Sequence, residues 1–288
     1  MLSDEEKEFI IGGVQGDRRE DGRSWEEYRV IEVECGLVSH TNGSARLRLG
    51  ETDILVGVKA EIVQPLSWKP EEGTVEFFVD CSAHANPDFE GHGGEDLALE
   101  LASIAEHAIR PGLDLKQLCI RKEQQCWCLN IDAVVLQCGG SVCDVLCMAI
   151  VAALHDTRLP DVTVSGGDGE PMELDVSDNP YDCKSIDISN LPALITLNKL
   201  GDCYVVDPSL DEEMCTNAKM MVAVNKSGTV CYSAKSGRLG LEPAMIFDML
   251  SKAKKVGVTL LESLVQHLDS ESSSKGMTAA SSIIGFLR

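Results

Sequence analysis

Basic residues are scarce in this chain: 25 Lys and Arg stand against 47 Asp and Glu, a formal charge of -22 at pH 7. A surplus of that size repels polyanions, so broad binding to nucleic acid is excluded and any contact with it must be local or shared with a partner. No apolar run approaches the roughly 20 residues that a membrane-spanning helix requires. The opening segment MLSDEEKEFI carries acids where a secretory or transit peptide needs bases. These two absences predict a protein that stays inside the cell and out of the bilayer. A further absence concerns cysteine spacing. None of the 12 cysteines forms a C-x-x-C pair, which argues against a zinc site. They fall inside apolar patterns, as Cys126, Cys128, Cys143 and Cys147 do, and read as reduced core thiols.

What is present suffices for about two domains: 288 residues, 44% of them hydrophobic. Ser3 with Glu6 three residues on has the form of a capping box and predicts a short helix ending near Gly12 and Gly13. From Tyr28 the runs YRVIEVE, SARLRLG, TDILVGVKAEI and TVEFFVDCSA, separated by Gly and Asn turns, predict a meander of strands. Leu97, Leu101, Ile104, Ala105 and Ala108 recur at helical spacing. A buried strand, CWCLNIDAVVL, and a nearly all-apolar helix from Ser141 to Leu154 follow. The segment RLGETDIL at Arg48 is echoed 151 residues later by KLGDCYVV at Lys199, each a strand, a Leu-Gly-acid turn and a strand. The echo predicts two similar α+β lobes packed together. Asn225 to Gly228 reads as a hairpin turn. Pro243 opens a last helix whose apolar face is Ile246, Met249, Leu250, Ala253, Val256, Leu260 and Leu264. The polar stretch DSESSSKGMTAASS reads as a mobile tail, with IIGFLR beyond it free to dock.

The stretch LQCGGSVCDVL, Leu136 to Leu146, poses the functional question. A strand running into Gly139 and Gly140, a capping Ser141 and an apolar helix is the layout that gathers backbone N–H groups around a phosphate. No Arg or Lys lies near it in sequence. Asp144, in the first helical turn, favours the helix dipole by about 0.3 to 1 kcal/mol and opposes an incoming anion. The stretch therefore reads either as a phosphate site or as a tight turn that keeps only the shape of one.

Five blocks in order carry a resemblance: RREDGRSWEEYR, GSARLRLGETDILVGVKAEI, FEGHGGEDL, WCLNIDAVVLQCGGSVCD and DNPYDCKSIDISNLPALITLNKLGDCYVVDPSLDEE. Over residues 8 to 265 the chain resembles the RNase PH family, and within it the exosome ring subunits of the non-catalytic class. The resemblance implies an α+β RNase PH fold of two ββαβα lobes, the first like ribosomal protein S5 domain 2. It places an N-terminal helix and arm at 1–27, lobe 1 at 28–160, lobe 2 at 161–268 and a mobile tail at 269–288. It further implies a six-membered ring of RNase PH-like exosome subunits, topped by S1/KH cap subunits and threaded by single-stranded RNA. It calls for no cofactor and no membrane. RNA processing and degradation, including rRNA processing and mRNA decay, in nucleus, nucleolus and cytoplasm are the implied setting.

Active members of the family shorten RNA from the 3′ end with inorganic phosphate as the attacking group. In them the Gly-Gly turn continues Thr-Arg, and the arginine holds phosphate; here the continuation is Ser141-Val142. They place an aspartate shortly before Met-Pro as general acid; here Asn190 precedes Leu191-Pro192, and an amide cannot donate and regain a proton at neutral pH. Asp175 matches an acidic family position. Arginines near the C-terminal end of the Leu97 helix reduce to Arg110, with His107 substituted, and Arg110 reads either as an RNA phosphate contact or as a complement to the helix terminus. His84, His92, Asp88, Glu90 and Glu95 lack regular ligand spacing, so no metal site is read there. Lys252, Lys254 and Lys255 read as a solvated face, and Arg46 and Arg48 share one face of a strand. The reading that Val142, Asp144 and Asn190 favour is a scaffold subunit. Its competitor is an active phosphate-dependent 3′-to-5′ exoribonuclease with a rearranged site.

Overall fold

The computed structural model of the chain describes residues 2–165, 173–177, 179 and 182–279. Helix α1 (Asp4–Gln15) opens on the capping box read above, Ser3 and Glu6 satisfying each other's backbone N–H groups. It runs past Gly12 and Gly13 because Ile10 and Val14 lie one turn apart and are buried together against Leu200, Val205 and Cys215. Burial of that stripe outweighs the two glycines.

Lobe 1 is one sheet of strands β1 (Ile31–Cys35), β2 (Gly43–Leu49), β3 (Thr52–Val63), β4 (Thr74–Cys81), β5 (Cys119–Arg121) and β6 (Gln125–Gln137). They lie in the order β1-β2-β3-β6-β4, with β5 pairing β6 at its end. Only β4 runs parallel to its neighbour, and the crossover that parallel pairing demands carries helix α2 (Glu95–Ile109). Helix α3 (Val142–Asp156) leaves β6 through the Gly-Gly turn. Two short ribbons, β7 (Arg158–Pro160) with β10 (Cys183–Ser185) and β8 (Val162–Ser165) with β9 (Glu173–Val176), link the lobes.

Lobe 2 is the antiparallel sheet β12-β11-β13-β14, from β11 (Ala193–Leu200), β12 (Cys203–Val206), β13 (Ala218–Val224) and β14 (Val230–Gly237). Short helix α4 (Leu210–Cys215) and the long α5 (Pro243–Ala279) complete it. The echoed motifs are equivalent hairpins, β2–β3 and β11–β12, and Gly50 (φ 57°) and Gly201 (φ 60°) turn them in the left-handed region. The expected last helix forms from Pro243 and buries Met249, Ala253, Leu260 and Leu264. It continues to Ala279, so the stretch read as a tail from 269 is helical as far as that residue; IIGFLR lies outside the described residues.

Helix α3 explains its own composition. It packs on β2 and β3 through one face and on β11 through the other, so its residues from Val145 to Leu154 are all buried. A helix apolar all round is stable in water only when covered all round, and each Leu, Ile, Val or Met so covered contributes about 1.5 to 3 kcal/mol. Both lobes therefore share one hydrophobic core.

Candidate functional site

The Gly139–Val142 turn is where the sequence placed the site, and the structure closes it. Gly139, Gly140, Ser141 and Val142 are all buried. A Cβ at Gly139 would stand 2.6 Å from Glu51 Cβ, and one at Gly140, where φ is 95°, would stand 2.6 Å from the Pro208 carbonyl oxygen. Glycine is thus required by close backbone approach from two sides. Thr52 Oγ1 donates to the Gly140 carbonyl at 2.6 Å and accepts from the Gly139 N–H at 3.1 Å.

The charge missing from the local sequence arrives from 110 residues upstream. Arg29 Nη1 donates to the Gly139 carbonyl at 2.8 Å and Nη2 to that of Gly140 at 3.2 Å. The same guanidinium holds Asp207, Nη2 to Oδ1 at 2.7 Å. An arginine remote in sequence does reach the turn, but backbone carbonyls and a buried carboxylate engage its donors.

Ser141 does not cap α3 through its side chain. It adopts φ 58°, ψ 32°, and its buried Oγ makes no hydrogen bond. Glu213, from α4, supplies the anion instead: its Oε2 accepts the Ser141 N–H at 3.2 Å, and Lys219 Nζ lies 3.7 Å from its Oε1. A carboxylate of the chain itself thus stands where the helix N-terminus offers its partial positive charge. Burial works against the Lys219 ammonium, yet Cys143, Glu213, Glu100 and Asp144 outweigh it and raise its pKa. Burial pushes the Cys143 thiol up to about 12, so it carries no thiolate near neutral pH.

Asp144 does not face the turn either. It is fully buried, and it ties α3 both to the segment just before β1 and to lobe 2: Tyr28 OH donates to Oδ2 at 2.8 Å, Thr196 N–H to Oδ2 at 3.1 Å and Thr196 Oγ1 to Oδ1 at 2.5 Å. Burial is the largest influence on its pKa and overrides these donors, raising it to about 7. Asp144 is a strut between lobes, and the role of opposing an anion at the turn falls to Glu213.

The other candidates lie apart. Asn190 is exposed; its carbonyl abuts Gly112 just beyond α2, and no hydrogen bond among the described residues joins it to the turn. Arg110, at the end of the same helix, is half-exposed and paired with Glu106 one turn back. The structure therefore brings Arg110 and Asn190 to one end of α2, not to Gly139. Lys252 and Lys255 pair with Glu26, and Arg46 and Arg48 are drawn onto Asp53. His92 pairs with Glu95; the side chains of Asp88 and Asp175 lie outside the described residues. Because Arg110 already has an intrahelical partner, Arg110→Ala should change the slope of RNA affinity against salt by at most about one unit. A salt series on the assembled complex measures this, and an unchanged slope removes Arg110 from the RNA path.

Sequence reading missed the clamp around the turn. Arg19 is buried, bonded bidentately to Glu212 at 3.0 and 2.7 Å and to the carbonyls of Ser24, Val206 and Asp207. Asp207, at φ 47°, also receives Arg23 at 2.8 Å. The available signal was the second capping box, Ser209 with Glu212, which fixes where α4 starts.

Comparison with known proteins agrees with this architecture. The model of the 3′ exoribonuclease family, domain 1, matches residues 27–160, and that of domain 2 matches residues 190–256. A Dictyostelium discoideum protein provisionally named exosome complex exonuclease RRP42 is 34% identical, covering 90% of this chain and 95% of its own. The exosome complex component Rrp42 of Methanopyrus kandleri is 33% identical, covering 86% and 91%. A solved structure of the Archaeoglobus fulgidus exosome with RNA bound to the active site contains a chain that superposes with a TM-score of 0.77 at 25% identity, covering 90% of this chain and 98% of that one. The chain therefore belongs to the 3′ exoribonuclease, or RNase PH, family.

Proposed function

We propose that the chain is a non-catalytic structural subunit of an exosome-type ring. In that role it supports 3′-to-5′ RNA processing and degradation by its partners and lines part of the path of single-stranded RNA. Cap subunits of the S1/KH class and the nuclear, nucleolar and cytoplasmic setting belong to the same proposal. The observation that carries it is the turn at Gly139: its helix N-terminus is occupied by the Glu213 carboxylate and its arginine is spent on Asp207 and two carbonyls. Inorganic phosphate would have to displace one anion and recruit a cation already bound.

The competing reading, a phosphate-dependent exoribonuclease, makes a quantitative demand. A site of dissociation constant ~0.1 mM would gain RT ln(1 + 100), about 2.7 kcal/mol, in ~10 mM phosphate. That corresponds to a melting rise of roughly 5 to 11 °C. We expect no rise beyond that given by sulfate at matched ionic strength. We also expect no phosphate-dependent release of nucleoside diphosphate from RNA by the chain alone. Val142→Arg should not restore activity, since Val142 is buried and Glu213 still faces the helix terminus. Diphosphate release that requires this chain's own residues would return it to the enzymes.

A further inference from the structure

Helix α1 buries Ile10 and Val14, and nothing among the described residues covers Phe9 on another side of it. Phe9 is 74% exposed there. Two adjoining cavities flank it. One, of 630 Å³, is lined by Glu8, Phe9, Gly12, Val14 and Glu20 among others. The second, of 500 Å³, takes in Leu2, Glu5, Phe9, Ile10, Glu20 and Asp211. Phe9, Ile10 and Glu20 belong to both, so the two form one groove with an aromatic ridge in the middle. Gly12 adds to the opening, since a Cβ there would meet nothing within 4 Å.

The charge of the groove states what it can accept. Glu5, Glu8, Glu20 and Asp211 take part in no ion pair or side-chain hydrogen bond among the described residues, whereas Glu212, which also lines the first cavity, is paired with the buried Arg19, and acids elsewhere, such as Asp53 and Asp207, are paired with arginines too. Arg18 is the one exposed base on the rim. Carboxylates lining one groove repel one another, and a cation brought among them relieves that repulsion. An exposed phenyl face beside them accepts a guanidinium by cation–π contact or an aliphatic side chain by apolar burial.

We propose that this groove docks an arginine-rich segment of a partner protein, with a leucine-type side chain seated on Phe9 and Ile10 and guanidinium groups among Glu5, Glu8, Glu20 and Asp211. The site is built from α1, Glu20 of the arm and Asp211 of α4, and no hydrogen bond or ion pair among the described residues joins these side chains to the Gly139 turn. Nucleic acid is the wrong sign for it.

The test uses the full chain and a labelled peptide of about 15 residues rich in arginine and leucine, followed by fluorescence anisotropy. Saturable binding is expected. Phe9→Ser, at an exposed position that does not support the fold, should weaken it about tenfold, and the pair Glu8→Lys and Glu20→Lys should abolish it. Glu90→Lys, at an exposed position on lobe 1 and equal in charge step to Glu8→Lys alone, should leave affinity within about twofold. Loss of affinity as large with Glu90→Lys as with Glu8→Lys would reduce the effect to diffuse attraction by an acidic protein and overturn the proposal. So would non-saturable binding, an affinity indifferent to Phe9, or Phe9-dependent binding of a labelled oligouridylate in place of the peptide.

Discussion

Glu212→Ala should cost about 3 to 5 kcal/mol of stability, because it strands a guanidinium that has no exposed surface. Arg19 and Glu212 have side-chain exposures of 0% and 3%, so neither can turn to water when its partner is lost. At roughly 2 to 4 °C per kcal/mol the melting temperature should fall by about 6 to 20 °C. The double variant Arg19→Met with Glu212→Ala should recover only part of this. Removing both charges abolishes the stranded cation, but the carbonyls of Ser24, Val206 and Asp207 then lose the donor they shared. Equal melting temperatures for Glu212→Ala and the unmodified chain would mean that Arg19 can reach solvent, and the clamp would not hold the arm.

Asp144 gives the second large effect, and its sign is opposite to the usual carboxylate. Burial raises its folded-state pKa to about 7, above the ordinary value of 3.8. Between those values the folded protein keeps a proton that the unfolded chain has released. Stability contributed by the protonated form is full below pH ~4 and is lost as pH rises toward 7, on the order of 4 kcal/mol in all. Asp144→Asn cannot titrate, so the stability advantage of the unmodified protein over this variant should shrink from pH 4 to pH 7 and stay level above it. Urea unfolding of both proteins at pH 5 and pH 8 reads this directly. An advantage that grows with pH would show that the donors from Tyr28 and Thr196 hold the carboxylate charged and that burial has lost the competition.

Local order was readable from the sequence because local causes set it. The Ser3 and Glu6 capping box, the two Leu-Gly-acid hairpins and the all-apolar run of α3 each appear where residue type and spacing put them. The site was readable only in outline. The turn at Gly139 has the backbone shape its glycines predict, yet its chemistry depends on Arg29 and Glu213, 110 and 72 residues away. Nothing in a window around Gly139 can announce them. Asp144 was misassigned for a related reason: its position in the first turn of α3 was evident, but which way the side chain points depends on Thr196 of the other lobe. Ser141 failed as a cap because Gly140 and Ser141 both turn left-handed, which aims the hydroxyl away from the N–H groups a capping serine serves.

Helix α3 has a mechanical consequence. A rod gripped along its whole length by a sheet on each side leaves no hinge between the halves of the molecule. Tilting one lobe against the other would strip apolar side chains from α3 and break the Asp144 strut at the same stroke. Enzymes that clamp a substrate between lobes need the freedom that this arrangement forfeits. What it supplies in exchange is stiffness under load, the property of a voussoir: a block that transmits force between neighbours without changing shape.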